Sequence, residues 1–283
     1  MADVKPPVRL GAVDYLNVRP LVHGLDRSAD LVSLRFDVPS VCARLLDAGE
    51  IDLGMVPTIT YLDRPGDRIV PGVCIGSDGP VASVALFHRR PLRDVRSVAL
   101  DTSSRTSAAL TRILCVRRFE VTPVFVPHRP DLGAMLAVAD AALVIGDPAL
   151  FVDHQALGAA KTDLGAEWTS MTGLPFVWAF WSGRADAASP DVVGLLQKAA
   201  VDGMQHSDAI ADAYLAGDPA RQPVGRSYLR ENLMFRLTPR AVAGLERYFE
   251  EAVAIGLATH GHRPEFFGDR AGSQDPASNL SRI

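Results

Sequence analysis

Six consecutive residues, Asp101-Thr102-Ser103-Ser104-Arg105-Thr106, bring together the groups that an anion-binding turn needs. Short hydroxyl side chains donate hydrogen bonds. The unpaired N–H groups of a helix's first turn point out of its end, where the positive end of the macrodipole also lies. Arg105 adds a full charge able to grip a carboxylate through two parallel hydrogen bonds. A carboxylate or phosphate is the ligand that such a turn selects. Thr102 and Ser103 also have a purely structural reading, because residues of these types cap most helices.

The elements that would position this turn are a strand at Val98–Asp101 and a helix over 104–119. Before them, an apolar strand over 8–13 runs into Asp14-Tyr15-Leu16-Asn17-Val18-Arg19-Pro20. Pro20 suits the first turn of a helix, which makes 15–19 the loop at the carboxyl end of strand one. Loops at that end are where open α/β sheets bind ligands. Asn17 can donate and accept there, or it can simply cap its own backbone. A strand over 31–36, a helix from Pro39 to Gly49, a strand over 51–56 and a short helix opened by Pro57 and Thr58 follow. Alternation of strand and helix predicts a parallel sheet covered on both faces.

Strands are also expected over 70–75 and 81–88. After His88 a second α/β unit contains the hydroxyl-rich turn, a strand over 121–126, a helix over 132–138 and a strand over 141–145. That last strand empties into Gly146-Asp147-Pro148, where Asp147 reads either as a site residue or as an N-cap. The apolar aromatic run over 174–181 returns the chain to the first unit, so the first domain is discontinuous. The predicted division is 1–87 with 178–283, and 88–177, with the strands near 81–88 and 174–181 as hinge-like crossings. Beyond Gly183 amphipathic helices are expected over 190–215 and 238–257, followed by a polar tail over 268–283.

Composition narrows the function. Of 283 residues, 48% are hydrophobic and 22% charged, as in ordinary soluble proteins. A formal net charge of -4 without a basic stripe gives nucleic acid no footprint. Cys42, Cys74 and Cys115 are odd in number and widely spaced, which predicts buried free thiols in a reducing compartment. No signal-peptide pattern or membrane-length apolar run is present, and the expectation is a cytoplasmic protein without a membrane partner. No metal is expected, since His260 and His262 lack a third ligand. No cofactor is expected either: GxGxxG, P-loop and GxSxG patterns do not occur.

Six blocks taken together, VDYLNVRP (13–20), GEIDLGMVPTITYL (49–62), DGPVASVALF (78–87), LDTSSRTSAALTRIL (100–114), DAALVIGDPAL (140–150) and LGAEWTSMTGLPFVWAFW (164–181), resemble the chorismate dehydratases of the futalosine route to menaquinone. They occur in that family's order and cover nearly all of 8–183. The helical C-terminal third is similar only in general character. The resemblance implies an α/β fold like that of type II periplasmic binding proteins, two lobes closing over a ligand in a cleft.

It also implies a carbon–oxygen lyase that removes the C4 hydroxyl and the C3 hydrogen of chorismate, giving 3-[(1-carboxyvinyl)oxy]benzoate and water. The product ring is aromatic, so the driving force lies in the substrate. The enzyme must hold a small dianion and assist hydroxide departure. By the resemblance, Thr102, Ser103, Ser104, Arg105 and Thr106 bind one carboxylate. Tyr15 and Asn17 face it across the cleft, and Gly146 and Asp147 close the wall. Asn17 orients the reacting C3–C4 edge and Ser83 hydrogen-bonds the substrate from a crossing strand. A protein base is not required if the substrate's own enolpyruvyl carboxylate takes the C3 proton. Asp14 stands where the family often has a small residue or serine. Two alternatives share the fold: the sibling 1,4-dihydroxy-6-naphthoate synthase, acting on a larger cyclic substrate, and a non-catalytic binding protein for small anions.

Overall fold

The computed structural model describes residues 6–37 and 39–269. The first strand, β1 (Val8–Val13), ends at a 3₁₀ helix over Leu16–Val22. Then come β2 (Val32–Asp37), α1 (Pro39–Asp47) and β3 (Leu53–Pro57), followed by a 3₁₀ helix over Thr58–Asp63. Next are the short β4 (Asp67–Ile69) and β5 (Ile75–Ser77), then β6 (Val84–His88), β7 (Ser97–Asp101) and α2 (Arg105–Arg117). The second unit continues with β8 (Val124–His128), α3 (Leu132–Val138), β9 (Ala141–Ile145), α4 (Gly146–Phe151), β10 (Ala160–Asp163) and α5 (Leu164–Thr172). The long β11 (Phe176–Arg184) leads to α6 (Pro190–Gln205), α7 (Ser207–Tyr214), α8 (Gln222–Ser227), a π-helical turn over Tyr228–Asn232 and α9 (Pro239–Ala254).

Two sheets result. One has the order β2-β1-β3-β11-β4, with β5 also paired to β11; the other runs β10-β6-β9-β7-β8. β1 pairs in parallel with β2 and β3, and β7 pairs in parallel with β8 and β9. β11 in the first sheet and β6 in the second pair antiparallel with these parallel cores. Buried aromatic side chains tie the first sheet to α9 and α5: Phe176 meets Tyr248 at 4.9 Å and Trp168 at 5.2 Å between ring centroids.

Several elements differ from the sequence expectation. Tyr15–Arg19 does not wait for Pro20 as a loop, because the 3₁₀ helix begins at Leu16 and contains Pro20. Pro20 is the fifth of the seven residues of that helix and, having no N–H, leaves one i→i+3 hydrogen bond unmade. β6 pairs wholly within the second sheet, so the chain passes between sheets before Val84 and not along an 81–88 strand. The return at Phe176 likewise enters the first sheet directly. The expected helix over 190–215 breaks at His206, and both halves pack against the Leu16–Val22 segment. β10 and α5 had no sequence expectation. Of the polar tail over 268–283, residues 270–283 lie outside the described part. Cys42, Cys74 and Cys115 are buried and free, and burial pushes the Cys42 thiol up to about 11 and the Cys115 thiol to about 12. Among the described residues, no helix is long and apolar enough to cross a membrane.

The segment bearing Asn17 is held by a close approach of backbone to backbone. A Cβ on Gly203 of α6 would stand 2.0 Å from the Pro20 carbonyl oxygen, and a backbone atom cannot swing aside as a side-chain end can. Gly203→Ala is therefore expected to lower stability by about 1–3 kcal/mol, as overpacked sites do, and to displace the Asn17 segment. Urea unfolding monitored by tryptophan fluorescence reads the first effect.

Candidate active site

The carboxyl ends of β1, β3, β7 and β9 converge on one cleft between the sheets. Its empty space, open solvent at the mouth included, is about 660 Å³. Its floor and walls are apolar and aromatic, with Met55, Ile75, Val81, Ile145 and Trp178 among them. Polar groups enter at two places. One group is Tyr15, Asn17 and Ser83; the other is Ser103, Ser104 and Ser107 at the start of α2, and the Tyr15 and Ser103 side chains meet. An apolar slot with few convergent polar groups is the usual form of a small-molecule site.

At the α2 end, the hydroxyls are not equivalent. Ser103 gives both its N–H (2.8 Å) and its hydroxyl (2.6 Å) to Asp101 Oδ1, which commits the Ser103 proton away from any ligand. Ser104 is the N-cap: its Oγ accepts from the Ser107 N–H at 3.2 Å and donates to Ser107 Oγ at 2.9 Å. Ser107 Oγ, only now accepting, keeps its own proton for the cleft. First-turn N–H groups of α2 and the dipole add to the positive character there.

Ser83 Oγ and the Tyr228 hydroxyl share a 2.7 Å hydrogen bond, and Tyr228 also interacts with the Asn17 amide. Burial pushes the Tyr228 phenol far above its ordinary value, so it is a neutral donor. Asn17 Oδ1 is buried and has no hydrogen-bond partner among the described residues. A buried amide oxygen without a partner is costly, and at a residue that lines the cleft a ligand that donates to it would remove that cost. Tyr15 packs flat on Gly146, whose φ of 67° favours glycine and whose Cβ would lie 3.2 Å from the Tyr15 ring. Burial raises the Tyr15 phenol above its usual value, while the Ser103 hydroxyl opposes the shift.

Six residues expected from sequence line the cavity: Tyr15, Asn17, Ser83, Ser103, Ser104 and Gly146. Four others are placed elsewhere. Thr102 is exposed and gives its N–H to the His128 carbonyl. Arg105, 60% exposed, pairs with Asp63 at 2.8 Å, because the first residue of α2 points along the outer face of the helix. Thr106 is buried against the first sheet's lobe: its Oγ1 accepts from the Ile59 N–H at 3.2 Å and its carbonyl from the Tyr248 hydroxyl at 3.0 Å. Asp147 turns away from the cavity, accepting from the Tyr214 hydroxyl at 2.6 Å and from the Leu16 N–H at 3.4 Å. Ser107, Trp178 and Tyr228 were not singled out from sequence. Helical spacing from the Ser104 cap could have shown Ser107, whereas Tyr228 gives no signal, being brought in by a distant π-helical turn.

Asp147 makes a pH-dependent contribution. Burial pushes its carboxyl above the ordinary 3.8, against the donors Tyr214 and Leu16. The folded protein then holds this proton more tightly than the unfolded chain, so the linked stability is full below 3.8 and is lost as pH rises through the raised value. Asn cannot titrate but still accepts from Tyr214. The melting temperature of Asp147→Asn relative to the parent protein should therefore rise from acid to neutral pH.

Two sheets of this topology, joined by crossings and enclosing a cleft, define the periplasmic-binding-protein class of fold. In solved structures the chain is similar to a protein of Archaeoglobus fulgidus (TM-score 0.71, 15% identity, 89% of this chain and 99% of that one). It is similar too to the periplasmic aliphatic sulphonate binding protein of Escherichia coli (TM-score 0.61, 16% identity, 99% and 100%). A family model described as menaquinone biosynthesis matches residues 8–254, and the chain belongs to that family. The chorismate dehydratase of Thermus thermophilus is 31% identical over 222 residues, spanning 73% of this chain and 81% of that protein.

Proposed function

We infer that this protein is a chorismate dehydratase, a hydro-lyase that converts chorismate to 3-[(1-carboxyvinyl)oxy]benzoate and water in menaquinone biosynthesis. The observation that carries the reading is that Asn17 and Ser83, braced by Tyr228, share one apolar slot with the hydroxyl-lined start of α2. The slot accommodates a carbon ring, and the α2 end receives a carboxylate. Asn17 Oδ1 accepts from the hydroxyl that leaves and so orients the reacting edge, while the Ser83 hydroxyl donates to that edge, where the leaving oxygen gains charge.

The protein's carboxylates near the cleft are otherwise engaged. Asp147 is held by Tyr214, Asp14 pairs with Arg19 at the surface, and Asp101 is tied to Ser103. This supports proton transfer to the substrate's own enolpyruvyl carboxylate, held in reach by the site. Asp147→Asn and Asp14→Asn should then retain turnover; loss of turnover with chorismate binding intact would sink that step. We place the protein in the cytoplasm, a reading its buried free thiols support. Parallel assays separate the two sibling activities: chorismate should be consumed and the cyclic futalosine-derived substrate left intact, and the reverse result would overturn the reading.

A further inference from the structure

Ser83 owes its place to an unusual backbone. Ala82, on the crossing just before β6, has φ of 62°, a conformation that residues with a Cβ rarely adopt. The Ser83 N–H donates to the Val81 carbonyl at 2.7 Å, closing a three-residue γ-turn around Ala82, the strained form of that turn. Two side chains of β10 engage every polar backbone group the turn exposes on that side. Asp163 accepts from the Val81 N–H at 3.0 Å through Oδ1 and from the Ala82 N–H at 2.6 Å through Oδ2. Lys161 Nζ donates to the Ala82 carbonyl at 2.6 Å and to the Ala149 carbonyl of α4 at 3.3 Å.

The clamp reaches both walls of the cleft. The Ser83 carbonyl accepts from the Gly146 N–H at 2.8 Å, and Gly146 opens the helix whose Ala149 carbonyl Lys161 holds. Asp163 is itself fixed, since the same Oδ1 caps α5 by accepting from the Ala166 N–H at 3.0 Å. Burial lowers the Lys161 pKa, with Asp163 opposing. A sequestered ammonium with two carbonyl partners is a fixed donor rather than a solvated surface charge. A strained residue next to a functional side chain persists only where its surroundings over-determine it.

We propose that Lys161 and Asp163 are positioning residues that hold the strained Val81–Ser83 turn and the Gly146 wall in register, so that the Ser83 hydroxyl faces the reacting edge of the substrate. This rests on the reading of Ser83 given above. Neither side chain lines the cavity, and their effect on catalysis passes entirely through the turn.

Lys161→Met should lower kcat about 10- to 100-fold, the range for a sub-ångström misplacement, with a smaller change in KM. Glycine adopts positive φ without strain, so adding Ala82→Gly to Lys161→Met should recover much of the lost kcat. If Lys161→Met does not fold, Asp163→Asn replaces it, because either orientation of the amide sets an NH₂ against backbone N–H groups. Normal kcat in both clamp variants, or no recovery with Ala82→Gly, overturns the proposal. Hydrogen exchange at the Ser83 and Gly146 amides decides it independently of turnover. Faster exchange in a clamp variant supports the clamp even if the parent protein leaves chorismate untouched, which would overturn only the functional reading. Unchanged exchange in a folded variant overturns the clamp.

Discussion

Asn17→Ala is expected to lower kcat for chorismate by about 10²- to 10³-fold, the usual cost of removing one preorganised hydrogen-bonding group at a reacting centre. Asn17 meets the condition of preorganisation on three counts. Its 3₁₀ segment is braced by the Gly203–Pro20 approach, its amide interacts with the neutral Tyr228 phenol, and its Oδ1 is buried with no partner among the described residues. Alanine removes both polar atoms and leaves the α2 start and the apolar slot unchanged. Isothermal titration should therefore find chorismate bound nearly as well as by the parent protein while product formation almost stops. Equal losses in binding and turnover would make Asn17 an affinity group instead.

Legibility in the sequence followed the range of the interactions. The strands over 8–13 and 141–145 and the helix over 132–138 could be read from apolar spacing and caps, because local periodicity fixes them. The site's outline was legible where it lies just past the carboxyl ends of such strands, as with Tyr15, Asn17 and Gly146. Directions of side chains were not. Thr102 through Thr106 look like one cradle in sequence, yet the helix beginning at Arg105 sends Arg105 outward and Thr106 into the interface with Ile59 and Tyr248. Nor could tertiary convergence be read: Tyr228 reaches Ser83 across 145 residues, and Lys161 reaches Ala82 across 79.

The second large effect concerns the α2 hydroxyls. Ser107→Ala should raise KM for chorismate about tenfold or more, since a hydrogen bond to a charged group contributes about 1.5–3 kcal/mol and each 1.4 kcal/mol is a decade. Among the three serines, only Ser107 has its proton left over for a ligand. Ser103 donates to Asp101 and Ser104 donates to Ser107. Ser103→Ala should act mainly on stability, because it strips the buried Asp101 carboxylate of its hydroxyl donor. Initial-rate kinetics alongside thermal melts separate the two serines. A larger KM change for Ser103→Ala than for Ser107→Ala would mean that the hydroxyls are reoriented when substrate enters.

The central claim is that this cleft alone eliminates water from chorismate. Purified protein mixed with chorismate, with no cofactor added and a no-protein control beside it, should form a product lighter than chorismate by one water, with the absorbance of a 3-substituted benzoate, far faster than the control. Chorismate that is bound but recovered intact would contradict the account and make the protein a binding module.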